Sequence, residues 1–247
     1  MSPPPADPSS PVTALDDPPA RVQESGPASS DRFAAGLRGF GPVGILAILA
    51  ILAGGALTPG LAAVLVLAWT RLSRTPWREI GYVRPTSWIG GLAVGIVFGV
   101  ASKLAMKTVV MPLLGADPIN HAYHYLVGNK AAVLAFLPTV IIGAGFGEET
   151  FFRGYLFERL GKLLGRSAGA RIAIVLLTSA LFGAVHYPGQ GLAGAEQATV
   201  TGLVFGAIFA LTGRIWMLMC AHAAFDLAAV AIIYCDLETK IAHLVFK

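Results

Sequence analysis

AAVLAFLPTVIIGAGFGEETFFRGYLFERL, residues 131–160, runs from an uncharged apolar segment straight into Glu148, Glu149 and Arg153. An acidic or basic residue at the centre of a membrane helix costs about 2.5–3.5 kcal/mol on insertion scales. A helix that did nothing but span would not carry three of them. The stretch therefore reads as a membrane helix whose charges meet other groups inside the protein.

The surrounding chain agrees. Of its 247 residues, 55% are hydrophobic and 13% charged, against about 25% charged in a soluble domain, and the mean hydropathy is +0.68. The apolar residues lie in long runs, which predicts an all-α polytopic membrane protein, a bundle of about seven transmembrane helices with the active site inside it. The net charge of +4 makes no case for nucleic acid, because the basic residues sit in short loops between spans. Cys220 and Cys235 share one apolar run without a CxxC or zinc-knuckle spacing, so a disulfide framework is not expected.

Residues 1–37 are rich in Pro, Ser, Ala and Asp and show no periodic apolar face, which predicts a disordered, solvated tail without a signal peptide. The membrane domain then occupies 38–247, with a motif-bearing core at 131–235. Its expected spans are 40–57, 61–70 after a tight turn at Thr58-Pro59-Gly60, 88–114, the 131–160 stretch, 172–187, 196–212 and 215–234. Gly91, Gly95 and Gly99 form a doubled GxxxG ridge on the third, where a neighbouring helix can approach closely. Lys103 and Lys107 follow on the same span. They read equally well as residues facing a polar interior and as side chains snorkelling to an interface, and they are not assigned to the site. Lys and Arg segregate to alternate loops, which places the N-terminus in the cytoplasm and the C-terminus on the other side.

Three spans carry ionisable or aromatic residues at a four-residue spacing, which puts each pair on one helix face. Glu149 and Arg153 can form an ion pair. Glu148 is rotated from Glu149 by about 100° on an α-helix, so the two carboxylates are expected to divide their work: Glu149 neutralises Arg153, and Glu148 points at a cavity. Phe182 can wall one side of His186. Asp226 can orient His222, or both can bind one metal. A lone buried histidine is more often a packing residue, but three such pairs on three spans are hard to explain as packing.

E-E-x-x-x-R at 148–153, F-x-x-x-H at 182–186 and H-x-x-x-D at 222–226 resemble, in order, the motifs of the CPBP family, the CAAX prenyl proteases and bacteriocin-processing enzymes also called the Abi family. The flanks FFRGYLFERL and SALFGAVHY resemble the family as well, over residues 75–235 or so. The resemblance implies an intramembrane endopeptidase acting on a membrane-associated protein or peptide, at a CAAX end, a leader or a C-terminal sorting tail. It implies Glu148, His186, His222 and Asp226 as the catalytic set, with Glu149, Arg153 and Phe182 in support.

Two mechanisms stay open. In one, Glu148, His186, His222 and Asp226 hold a divalent metal such as zinc, which activates water. In the other no metal takes part: Glu148 and His186 activate water directly, and His222 with residue 226 stabilises the oxyanion. Many family members carry Asn at that position. An ionised aspartate donates no hydrogen bond, so Asp226 suits a metal or an orienting role better. Along the span, His186 is expected several ångströms deeper than Glu148 and His222, unless tilt levels them. The rival readings are a catalytically silent scaffold or immunity protein of the same fold, and a small proton-coupled transporter.

Overall fold

A computed structural model of the chain describes residues 1–2 and 29–246, and among these every regular element is a helix. Most of the expected disordered tail falls outside the described residues. Its expected end at residue 37 is corrected: Ser29–Arg38 forms helix α1, with Asp31 in its first turn and Arg38 in its last, both suited to the helix dipole. The end of α1 is tied down because its last carbonyls find donors. The Trp69 indole donates to Leu37 O at 3.0 Å, and Arg159 Nη1 donates to Arg38 O at 3.0 Å.

Helices α2 (Pro42–Leu57) and α3 (Pro59–Leu72) pack against each other across the expected turn, where Thr58 caps α3 by accepting from Leu61 N at 3.1 Å. A short 3₁₀ turn, Trp77–Ile80, leads to α4 (Trp88–Leu113), which Ser87 caps by accepting from Gly90 N at 2.9 Å. Helix α5 covers Lys130–Leu164. The helix Ala168–Thr212 is broken at Gly191, whose φ of 66° and ψ of −166° lie outside helical geometry. Its arms, α6 (168–190) and α7 (192–212), fold back antiparallel: a Cβ on Gly202 would stand 3.0 Å from Ser179, and one on Gly206 3.3 Å from Val175. Helix α8 is Trp216–Tyr234, and a short α9, Glu238–Ala242, ends the fold.

All seven expected spans are therefore present as helical segments, with the fifth and sixth as the two arms of one hairpin. By length and composition, four helices can cross a membrane, or five when α1 and α2, bent by 56°, are taken together. Helix α3 has 14 residues, about 21 Å at 1.5 Å per residue, short of a hydrocarbon core of about 30 Å.

The glycine ridge sets the most extensive helix contact, α4 on α8. A Cβ on Gly91 would lie 2.7 Å from Trp216 Cδ1, one on Gly95 2.6 Å from Cys220 Cβ, and one on Gly99 would collide with the Ala221 carbonyl. Partners advance in step, so the two helices run parallel. Backbones this close leave no room for a side chain on that face.

Helix α5 departs from the expected α geometry. Lys130–Pro138 and Phe157–Leu164 are α-helical, but Thr139–Leu156 is wound as a π-helix. Pro138, at the junction, has no N–H to continue the α ladder. Within the wide turns Gly145 meets Ala223 of α8, and Gly147 meets the Pro59 backbone, at would-be Cβ distances of 2.9 and 2.8 Å. Such π segments recur at functional sites, and this one carries both glutamates.

Candidate active site

Glu149 and Arg153 sit at the centre of the bundle, 0% and 2% exposed. Arg153 Nη1 donates to Glu149 Oε1 at 2.8 Å, so the expected pair forms despite the π winding. The same oxygen lies 2.7 Å from His222 Nδ1. Sequence reasoning had not connected these two residues, which are 73 positions apart. The guanidinium stacks over Phe182 and Phe205, 4.8 and 5.6 Å from the ring centroids, so both ring faces help hold the cation.

Phe182 is the common wall. Besides Arg153 it meets His186 edge-on at 4.5 Å and His222 at 6.0 Å between centroids. His186 Nδ1 lies 2.7 Å from Phe182 O. A carbonyl only accepts, so Nδ1 carries the hydrogen and Nε2 is left as an acceptor. The carboxylate of Glu149, paired with Arg153, likewise takes the Nδ1 hydrogen of His222. Nε2 of His222 then faces two carboxylates, Glu148 Oε2 at 3.7 Å and Asp226 Oδ2 at 3.8 Å. Glu148 Oε2 is buried and makes no hydrogen bond to another protein group.

Glu148, His186, His222 and Asp226 all line one cavity. The expected difference in depth does not separate His186 from the others: α6, ending in the Gly191 break, delivers it to the same space as the carboxylates. The two glutamates are divided as expected, Glu149 turned into the ion pair and Glu148 onto the cavity.

A metal finds no matching set of donors in this arrangement. Zinc ligands lie about 2.0–2.3 Å from the ion, and no three His, Cys, Asp or Glu among the described residues are grouped to hold one. His222 Nδ1 is taken by Glu149, which leaves Nε2 as its free nitrogen, 3.7 and 3.8 Å from Glu148 and Asp226.

Three further features of the site were not assigned from the sequence. Lys103 does not snorkel: it is 5% exposed, donates from Nζ to Gln197 Oε1 at 2.9 Å, and sits 4.9 Å over the Phe225 ring. Lys107 pairs with Glu238 at 3.1 Å. The signal was present, because Gly95, Gly99, Lys103 and Lys107 recur every four residues and so follow the ridge that faces α8.

The connection at 115–129 also reaches into the cavity through Asn120, Tyr123 and Leu126, and Gln190 Nε2 donates to Tyr123 Oη at 3.1 Å. Burial, helped by the charges of Asp226 and Glu148, pushes the Tyr123 phenol up to about 12. Finally, Thr150 gives its hydroxyl hydrogen to Phe146 O at 2.7 Å, so Tyr82 Oη, 2.8 Å away, donates to Thr150 and ties the α3–α4 loop to the motif helix.

No curated protein and no solved structure matches the chain. Residues 130–228, which hold Glu148, His186, His222 and Asp226 in the arrangement just described, match the family model described as type II CAAX prenyl endopeptidase Rce1-like, and over that segment the resemblance to the CPBP proteases holds.

Proposed function

We propose that the chain is an intramembrane endopeptidase that hydrolyses a peptide bond in a membrane-associated protein or peptide, with Glu148 as its general base. The observation that carries this reading is the Glu148 carboxylate, buried and unbonded at Oε2, 3.7 Å from His222 Nε2 in a cavity shared with His186. An ionisable group held at such a place in a spanning helix marks a functional site.

Hydrolysis follows from these groups. Water between Glu148 Oε2 and His186 Nε2 gives a proton to the carboxylate as its oxygen attacks the scissile carbonyl. His222 Nε2, when protonated, is the donor for the oxyanion, and its ring is fixed by Glu149. Asp226 Oδ2, 3.8 Å from that nitrogen, is too far to take its hydrogen and supports the protonated imidazole through its charge, a role open to an ionised carboxylate. Glu148 then passes its proton to the leaving amine. No step is routed through a metal.

The matched family points to the C-terminal CAAX end of a membrane-anchored protein as the substrate, with leader and sorting-tail processing as the other members of the same class. The alternation of basic loops puts the N-terminus in the cytoplasm. The parallel run of α4 and α8 agrees with their places as the third and seventh of seven alternating spans.

The test is to compare membrane proteomes by terminal-peptide mapping with the native protein and with Glu148→Gln and His186→Ala variants that insert normally. New termini should appear with the native protein alone. The same termini in both variants would overturn the assignment.

A further inference from the structure

Lys103 is the buried cation that the proposed hydrolysis does not use. Its ammonium has three hydrogens. Gln197 Oε1 takes one at 2.9 Å, and the Phe225 ring offers its face at 4.9 Å. Among the described residues Lys103 enters no ion pair, whereas Lys107, one turn on, is neutralised by Glu238. Asp226 and Glu238 act on it through space without reaching ion-pair distance, and taking an ammonium out of water without a direct ion pair costs several kcal/mol. A protein retains such a group where a ligand supplies the anion.

The position says which ligand. Lys103 lines the catalytic cavity together with Glu148, His222 and Asp226, and also lines a second cavity that continues past it to Lys107, Asn120 and Glu238. It stands on the boundary between the two. Through the α4–α8 register it lies beside Phe225, three residues beyond His222, or about 5 Å along the helix. An extended peptide advances roughly 3.3–3.6 Å per residue, so a peptide placed for cleavage brings its next residues to Nζ.

We propose that Lys103, with Gln197, is a carboxylate-binding subsite of the catalytic cavity that holds an anionic group of the substrate a few residues from the scissile bond. The inference rests on the endopeptidase reading for its ligand class, a peptide carboxylate. Two sources share that chemistry, a free C-terminus and an acidic side chain. In either case the ammonium gains the ion pair it lacks, with a charge-assisted hydrogen bond. Neutral Gln197 fixes the ammonium without competing for it.

Binding of a fluorescent farnesylated CAAX peptide to Glu148→Gln protein in nanodiscs tests this without cleavage, so it is separate from the proteome comparison that tests the protease reading. The probe is used as the free acid, as the C-terminal amide, and as an amide ending in aspartate. The acid should bind about ten-fold or more tightly than the amide. Adding Lys103→Met should remove that preference, and Lys103→Arg should restore most of it, which also shows that the lysine variants fold. Recovery of tight binding by the aspartate amide assigns the subsite to carboxylates in general, and failure to recover assigns it to the C-terminus. Equal binding of acid and amide by the parent protein, or a preference that survives Lys103→Met, would overturn the inference.

Discussion

His222 Nδ1 and Arg153 Nη1 donate to the same oxygen, Oε1 of Glu149, at 2.7 and 2.8 Å. Glu149 is thus the joint between the motif helix and α8. It holds a cation on its own helix and sets the ring of a histidine on another. Removing one partner of a buried pair leaves the other charge uncompensated, at about 3–5 kcal/mol. Arg153→Ala and Glu149→Ala should each lower the thermal unfolding midpoint in detergent substantially. An unchanged midpoint for Arg153→Ala would contradict the pairing.

The neighbouring glutamate should behave differently. Glu148 Oε2 bonds to no protein group, so Glu148→Gln removes a charge and no internal hydrogen bond at that oxygen. We expect cleavage to be lost with the unfolding midpoint held or raised. Glu149→Gln should lose both activity and stability. Unfolding scans alongside a cleavage assay separate the two carboxylates, and a Glu148→Gln protein as unstable as Glu149→Gln would contradict their division.

Much of this arrangement was legible in the sequence, and the rest was hidden for identifiable reasons. Charges after an apolar run, and pairs four residues apart, located Glu148, Glu149, Arg153, Phe182, His186, His222 and Asp226. A four-residue spacing survives the change from α to π winding well enough for Glu149 to reach Arg153, so the pair was predicted even though the winding of 139–156 was not. The Glu149–His222 bond joins residues 73 apart, and no local pattern encodes a contact of that range. Lys103 was left open between a polar interior and an interface because a lysine near a span end has an inexpensive solution in snorkelling. Only the glycine ridge ahead of it indicates that its face is turned to α8. Helix α1 was missed because its sequence is polar on average, and its order comes from Trp69 and Arg159.

Metal removal tests the chemistry. The four carboxylate and imidazole side chains line one cavity, but no three among the described residues are grouped closely enough to hold an ion. Cleavage should persist through a chelator titration, with metal well below one equivalent by elemental analysis. Activity that falls with chelator and returns with zinc would show that the donors do gather around an ion in the working enzyme.

Alkaline pH should act through Tyr123. Its phenol is raised to about 12, first by burial and then by the Asp226 and Glu148 charges, against about 10 in the unfolded chain. Above pH 10 the unfolded state gives up this proton while the folded state keeps it. Stability due to the neutral phenol is thus complete below pH 10 and is lost as pH rises towards 12. Tyr123→Phe should flatten the unfolding midpoint across that window, at the expense of the Gln190 hydrogen bond at every pH. An unaltered slope would show that Tyr123 is not held in the cavity wall.

The ridge on α4 gives the most severe structural test. At Gly99 a Cβ would overlap the Ala221 carbonyl and stand 2.9 Å from Phe225 N, both backbone atoms that no rotamer change can move. Gly99→Leu must push α4 away from α8. The displacement bears on the site at two points, because Ala221 immediately precedes His222 and Phe225 supports Lys103. Activity should therefore be lost together with a large fall in the unfolding midpoint. Gly115→Ala supplies the contrast: a Cβ there meets open space, and only its φ of 72° opposes the change, at about 1–2 kcal/mol. The cavity should be untouched and cleavage near normal. If Gly99→Leu proved as mild as Gly115→Ala, α4 and α8 would not be in backbone contact, and Lys103 would have no place in the catalytic cavity.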